Sequence, residues 1–161
     1  MNKLLISAAV VAAFAAPSTF AATANSNFNV TATLTAVCTA TNSGTPVIAF
    51  GTYTAFQGTA IGPVVVTPGV AFQCTRGLPT PTAAFDTTAP GTATGGVING
   101  LQYTLTAPTG SKTTTGTAAT ASSIGSADVY TYTFSGTIPS GQAGDPTQTP
   151  GPVTRTLTIT Y

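Results

Sequence analysis

Apolar residues alternate with hydroxyl-bearing ones along much of this chain. In residues 27–37, Phe28, Val30, Ala32, Leu34 and Ala36 take every second position, with Asn29, Thr31, Thr33 and Thr35 between them. That is the period of a β-strand with one apolar and one polar face. Left in water, Phe28, Val30 and Leu34 would each forgo roughly 1.5–3 kcal/mol of burial, so the strand needs a sheet. The sheet is either the chain's own, with residues 27–37 as its first strand, or another molecule's. A second clean alternation closes the chain, with Leu157, Ile159 and Tyr161 on one face and Thr156, Thr158 and Thr160 on the other.

Shorter runs lie between these ends. Val47-Ile48-Ala49-Phe50 reads as a strand stopped by Gly51. Val64-Val65-Val66 and Val70-Ala71-Phe72-Gln73-Cys74 flank Pro68-Gly69, and Val70, Phe72 and Cys74 share a face, which points Cys74 into a core. Residues 83–85 form a short strand at most. Asn99-Gly100 between apolar runs predicts a hairpin, because both residues tolerate the positive φ of a type I′ turn; Leu101, Tyr103 and Leu105 then continue on one face. Residues 107–127 are almost wholly Thr, Ser, Ala and Gly and read as a long loop or a weakly specified edge. Tyr130, Tyr132 and Phe134 share a face in the next run. No stretch beyond residue 21 repeats every 3.6 residues, and 17 glycines and 12 prolines punctuate the strand runs. The pattern predicts an all-β sandwich of about seven short strands in a single domain.

Residues 1–21 have the form of a secretory signal: Lys3, an apolar run over residues 4–16, and small residues up to Ala21, with cleavage after Ala21 or Ala22. The apolar run is too short to span a bilayer, and nothing later is longer, so the expectation is an exported chain without direct membrane insertion. Charged residues are 4% of the sequence; without Lys3, Arg76, Lys112 and Arg155 balance Asp86, Asp128 and Asp145. Neither nucleic acid nor an anionic membrane is a fitting partner for so few cations. Near-zero net charge also removes the usual protection against self-contact. Two readings fit that composition: a Thr-rich domain kept soluble by its hydroxyls, and a subunit built to associate.

Cys38 and Cys74 are the only cysteines, and export places them where thiols oxidise, so they are paired here. Closing the intervening loop removes unfolded-state entropy worth roughly 4 kcal/mol in the chain-entropy model. Two sulfurs with no histidine in the chain make a poor metal site, and no metal or cofactor is expected. The missing histidine also removes the commonest general base and any serine triad built on it. Asp86, Asp128 and Asp145 are the only carboxylates available for a glycosidase-like pair. Each falls in a turn or strand end, and the chain has no Trp to form a sugar platform, so no enzymatic activity is expected. Gly110-Ser111-Lys112-Thr113 has the wrong order for a phosphate loop, and Asn29-Val30-Thr31 is a formal glycosylation triplet that alternation along a strand produces by chance.

The order of these features carries a resemblance. An export signal precedes an alternating strand that stops short of a cysteine, then come Phe50-Gly51 and Phe72-Gln73-Cys74. Phe134-Ser135-Gly136-Thr137-Ile138-Pro139, Gln142 and a terminal Arg155-Thr156-Leu157-Thr158-Ile159-Thr160-Tyr161 follow. In this arrangement the chain resembles the spore coat protein U domain family, which includes the pilin subunits of archaic chaperone-usher (Csu-type) pili. It departs at Pro150-Gly151-Pro152, where relatives usually carry a tyrosine and an aspartate.

The resemblance implies an incomplete immunoglobulin-like sandwich that lacks its final strand and is completed by a donor strand from a neighbouring subunit. Residues 22–37 would be the donor segment and residues 38–161 the pilin domain. Phe28, Val30, Ala32 and Leu34 would fill the groove of the next subunit, Leu157, Ile159 and Tyr161 would line the acceptor groove, and Cys38–Cys74 would tie the donor's base to the core. A periplasmic chaperone would first lend the missing strand and an outer-membrane usher would collect the complex. Neighbouring pilin subunits would then build a homopolymeric surface fibre (pilus or fimbria) that supports adhesion and biofilm formation, with this chain as a rod or minor subunit. Two other readings stay open at this point. One is a secreted spore or cell-surface coat protein of the same fold that builds no pilus. The other is a small carbohydrate-binding module, which needs an exposed aromatic cluster that only Tyr53, Phe56 and Tyr103 could supply.

Overall fold

The computed structural model describes residues 23–161, so the export signal read in residues 1–21 lies outside the described residues. The chain divides into two units, one ending at Thr33 and the other spanning Leu34–Tyr161. In the first, residues 23–33 form no strand and are exposed throughout. The second is all-β: β1 (Cys38–Ala40), β2 (Ile61–Val65), β3 (Val70–Cys74), β4 (Thr82–Phe85), β5 (Gly91–Thr92), β6 (Gly95–Ile98), β7 (Leu101–Leu105), β8 (Thr109–Thr114), β9 (Asp128–Thr133), β10 (Ser135–Ile138) and β11 (Leu157–Thr160). They form antiparallel sheets in the orders β1-β3-β9-β8, β2-β10-β7-β6-β5 and β11-β4.

Two long stretches of chain serve both larger sheets. β3 pairs with β9, from Cys74 opposite Asp128 to Val70 opposite Tyr132, and β2 pairs with β10, with Val65 opposite Ser135 and Ile61 opposite Ile138. Between these halves the Val66 N–H donates to the Phe134 carbonyl at 2.9 Å. Thr67, Pro68 and Gly69 therefore stand opposite Thr133 alone. This bulge, at a proline that cannot donate to a ladder, is where the paired strands pass from one sheet to the other. Such breaks explain why eleven strand segments occur where the apolar runs suggested about seven.

The core has two centres. Phe72, Cys74, Tyr130 and Tyr132 are buried together, with Val70, Leu78, Ala83, Leu157 and Ile159 packed around them, so the β11-β4 layer faces the β3-β9 layer. Phe72 and Tyr132 meet edge-to-face at 5.9 Å. Buried tyrosines need partners for their hydroxyls: Tyr130 donates to the Leu78 carbonyl at 2.9 Å and Tyr132 to the Pro81 carbonyl, which pins the connection from β3 to β4. The second centre is Leu101, Tyr103 and Ile138, covered by Phe50, Tyr53, Ile61, Ile98 and Leu105.

Asn99 (φ 50°) and Gly100 (φ 66°) both take positive φ and join β6 to β7, with Ile98 opposite Leu101, as the hairpin signal predicts. Residues 107–127 supply an edge strand, β8, and a loop. Two expected strands are absent. Residues 47–51 make only an isolated bridge, Val47 to Thr67, because Ile48 and Phe50 instead lie over Gly136; a Cβ there would come within 2.6 Å of the Phe50 ring. Residues 27–37 join no ladder, so among the described residues the first strand is β1 and not this stretch.

Candidate functional site

The expected donor residues Phe28, Val30 and Leu34 are 85%, 84% and 81% exposed, and Ala32 is exposed with them. Fastening begins at Val37. Its N–H donates to Thr75 Oγ1 at 2.9 Å, and the Thr75 N–H donates to the Val37 carbonyl at 2.8 Å. One residue on, Cys38 stands directly opposite Cys74 in the β1–β3 ladder, and the two are disulfide-bonded with Cα atoms 4.1 Å apart. Neighbours in an antiparallel ladder that exchange no main-chain hydrogen bond come this close, so register alone brings the sulfurs together.

The expected acceptor residues fall on and beyond β11. Among the described residues β4 is the only strand paired with β11, from Leu157 opposite Phe85 to Thr160 opposite Thr82. The Asp86 N–H donates to the Thr156 carbonyl at 2.9 Å, which makes these two a hydrogen-bonded pair. Antiparallel alternation then turns the main-chain groups of Thr158 and Thr160 toward β4 and those of Leu157 and Ile159 toward the open edge. The side chains of Leu157 and Ile159 point inward, half-buried against the Phe72–Tyr130 centre. Tyr161 lies past the end of β11, 51% exposed and outside that centre. Elsewhere, the second centre opens on a cleft of about 500 Å³ lined by residues that include Ile48, Phe50, Tyr53, Ile98, Leu101 and Ile138.

The three carboxylates belong to three separate hydrogen-bond networks. Asp128, 1% exposed, accepts from Lys112 Nζ at 2.7 Å, the Gly116 N–H at 2.7 Å and the Gly77 N–H at 3.0 Å. The Lys112 ammonium and these N–H groups hold its carboxyl down to about 2. The same bond, with a contribution from Tyr130, raises the Lys112 ammonium above its ordinary range. Asp145 accepts from the Thr147 hydroxyl and N–H in a tight turn, and these bonds lower its pKa. For Asp86, burial works against the charge, but the Arg155 guanidinium and the Thr156 N–H outweigh it and lower the pKa.

Arg155 is the functional candidate that sequence reasoning passed over. Its Nε donates to Asp86 Oδ1 at 2.8 Å, Nη1 to the Gly95 carbonyl at 2.6 Å and the Tyr103 hydroxyl at 3.0 Å, and Nη2 to the Asp86 and Thr92 carbonyls at 2.8 Å each. Burial opposes its charge, yet these partners, Tyr103 and Asp86 foremost, raise its pKa. A signal was present: residue 155 shares the two-residue period of Leu157 and Ile159, and a charge on an apolar face needs a buried partner. The aromatics considered for sugar binding do not form a platform. Tyr103 is buried, Tyr53 is half-buried with its hydroxyl bonded to Pro139 and Gln142, and only Phe56, 73% exposed, faces water. No family model, curated protein or solved structure matches the chain.

Proposed function

We propose that the chain is a structural subunit of a surface fibre that polymerises by donor-strand exchange. Residues 22–37 act as the donor, and residues 38–161 act as an immunoglobulin-like sandwich lacking one strand. The observation that carries this reading is a pair of complementary deficits in one chain. Phe28, Val30, Ala32 and Leu34 alternate without joining a ladder, while β11 keeps one edge unpaired among the described residues, with the main-chain groups of Leu157 and Ile159 turned outward. Each supplies what the other lacks. An added strand gains main-chain hydrogen bonds along the edge, and its alternate side chains set the register. Burying Phe28, Val30 and Leu34 recovers roughly 1.5–3 kcal/mol apiece. Neither the donor segment nor the outer face of β11 carries a charge, which suits a joint closed by apolar contact.

An open edge and an exposed apolar segment in one chain are both aggregation sites, so such a subunit needs a temporary partner before assembly. A periplasmic chaperone that lends a strand and an outer-membrane usher that delivers the complex fill that need. The product is a linear homopolymer displayed at the cell surface, suited to adhesion and biofilm formation. The cysteine clasp at the donor's root then carries tension from one subunit's core to the next.

The test is to isolate the exported chain from periplasm with and without its candidate chaperone, then run gel filtration and a denaturing gel after mild heating. Ladders that survive the heating, or a one-to-one chaperone complex that converts to them, are expected. A stable monomer whose residues 27–37 are protected from hydrogen exchange would overturn the reading.

A further inference from the structure

An acceptor strand works best when it stands in place before the donor arrives, because ordering it during capture adds its conformational entropy to the cost of binding. β11 is poorly provided for by its ladder, since among the described residues β4 alone flanks it. The connection that leads into it carries Pro150-Gly151-Pro152, which cannot supply a regular ladder either.

We infer that Arg155 is the positioning residue that holds β11 ready for an incoming strand. The inference rests on the donor-strand reading. Arg155 lies two residues before β11, and its side chain is 13% exposed. Its donors reach four elements or their flanks: Asp86 after β4, Thr92 in β5, Gly95 in β6 and Tyr103 in β7. Asp86 Oδ1 also accepts the Thr156 N–H at 3.1 Å, so the same carboxylate grips the entry to β11 through main chain and side chain. The guanidinium centre lies 6.0 Å from the Phe85 ring centroid. Its seat is cut to shape at Gly91, where a Cβ would come within 2.5 Å of the Arg155 Cζ. A planar fork with five N–H groups can bind all these acceptors together, whereas the single ammonium of lysine cannot span them. The bracket fixes the start of β11 relative to the β5–β6–β7 hairpins, and β4 then fixes its direction.

The test uses the full exported chain carrying Leu34→Asp, which lacks a working donor, and a fluorescent peptide of residues 27–37. Into this background go Arg155→Lys, Gly91→Ala and, as a control whose side chain bonds only to Thr54 and Thr59 in its own turn, Gln57→Ala. Gly91→Ala displaces the guanidinium without removing its charge. Compared at equal folded fraction with Gln57→Ala, Arg155→Lys and Gly91→Ala are expected to capture the peptide at least tenfold more slowly. Amides across the β4–β11 ladder should exchange at least tenfold faster, with β3–β9 unchanged. Capture and β4–β11 exchange equal to the control would overturn the bracket. A folded background that captures no peptide would overturn the donor-strand reading instead, and the exchange rates still decide the bracket, which falls if Gly91→Ala leaves them unchanged.

Discussion

Residues 27–37 and residues 157–161 share one pattern and differ in everything the pattern leaves open. Both alternate apolar residues with threonine. Leu157 and Ile159 lie half-buried on a strand paired with β4, whereas Phe28, Val30 and Leu34 are more than four-fifths exposed and join no ladder. Alternation specifies which face is apolar; it does not specify which molecule covers that face. What separates the two stretches is fastening. The C-terminal one has Arg155 and Asp86 at its entry and a tyrosine-rich centre beneath it, while the N-terminal one is held only at its root, by Val37 and Cys38.

The strongest way to break this comparison is to place a charge on each face. On the proposed donor-strand reading, Val30→Asp or Leu34→Asp should abolish assembly, because a charge on that face would have to be buried unpaired. The melting temperature of the monomer and its capture by the chaperone should stay at wild-type values. Ile159→Asp should do the reverse, costing about 2–5 kcal/mol of domain stability by urea denaturation and eliminating chaperone capture itself. Chaperone capture lost in Leu34→Asp would mean that residues 27–37 belong to the subunit's own sandwich.

Removing the root tests whether fastening is what distinguishes the two. Cys38→Ser with Cys74→Ser should lower stability by about 2–5 kcal/mol. On the donor-strand reading, assembled ladders should also dissociate at a lower temperature than wild type, since a pull on residues 27–37 would no longer pass through a covalent bond into β3. Unchanged ladder stability would show that Val37 and Thr75 suffice as the clasp.

Acid probes the sheet that carries this root. The Asp128 carboxyl titrates at about 2 when folded, below its ordinary 3.8. A lowered carboxylate pKa stabilises the fold above pH 3.8, and that stabilisation disappears as pH falls from 3.8 through about 2. Asp86 and Asp145 are lowered too and add with the same sign. Lys112, raised above 10.5, contributes below that pH and loses its contribution as pH rises through the folded value. Urea midpoints should therefore drop between pH 4 and pH 2, and Asp128→Asn should flatten most of that drop. A wild-type acid slope retained in Asp128→Asn would place the titration elsewhere.

The smallest effect concerns Phe56, exposed like Phe28 but without a partner face. It sits at φ 61° in a turn where its N–H donates to the Gln142 carbonyl. A bulky residue is strained at that angle and glycine is not. Phe56→Gly should leave assembly intact and change stability by less than about 1 kcal/mol, toward greater stability, read from the denaturation midpoint. Lost assembly would add this turn to the joint.

Local pattern was enough for the parts that local physics controls. Two-residue periodicity gave the strands around Phe72, Tyr103, Tyr130 and Ile159, and Asn99-Gly100 gave its hairpin because only positive-φ residues close that turn. Cys38 and Cys74 are the only cysteines, so an intramolecular disulfide has one possible pairing. Residues 47–51 were read as a strand because an apolar run looks the same whether it pairs or lies across a glycine, and Gly136, some ninety residues on, decides which. The passage of the paired strands between sheets at Thr67–Pro68–Gly69 depends on what stands opposite, which one strand cannot encode. Arg155 was legible only as a charge on an apolar face; its five acceptors come from residues 86, 92, 95 and 103, and only folding brings those together. Periodicity is a property of neighbours along the chain, whereas the open edge of β11 and the seat of Arg155 arise from contacts between residues far apart in sequence.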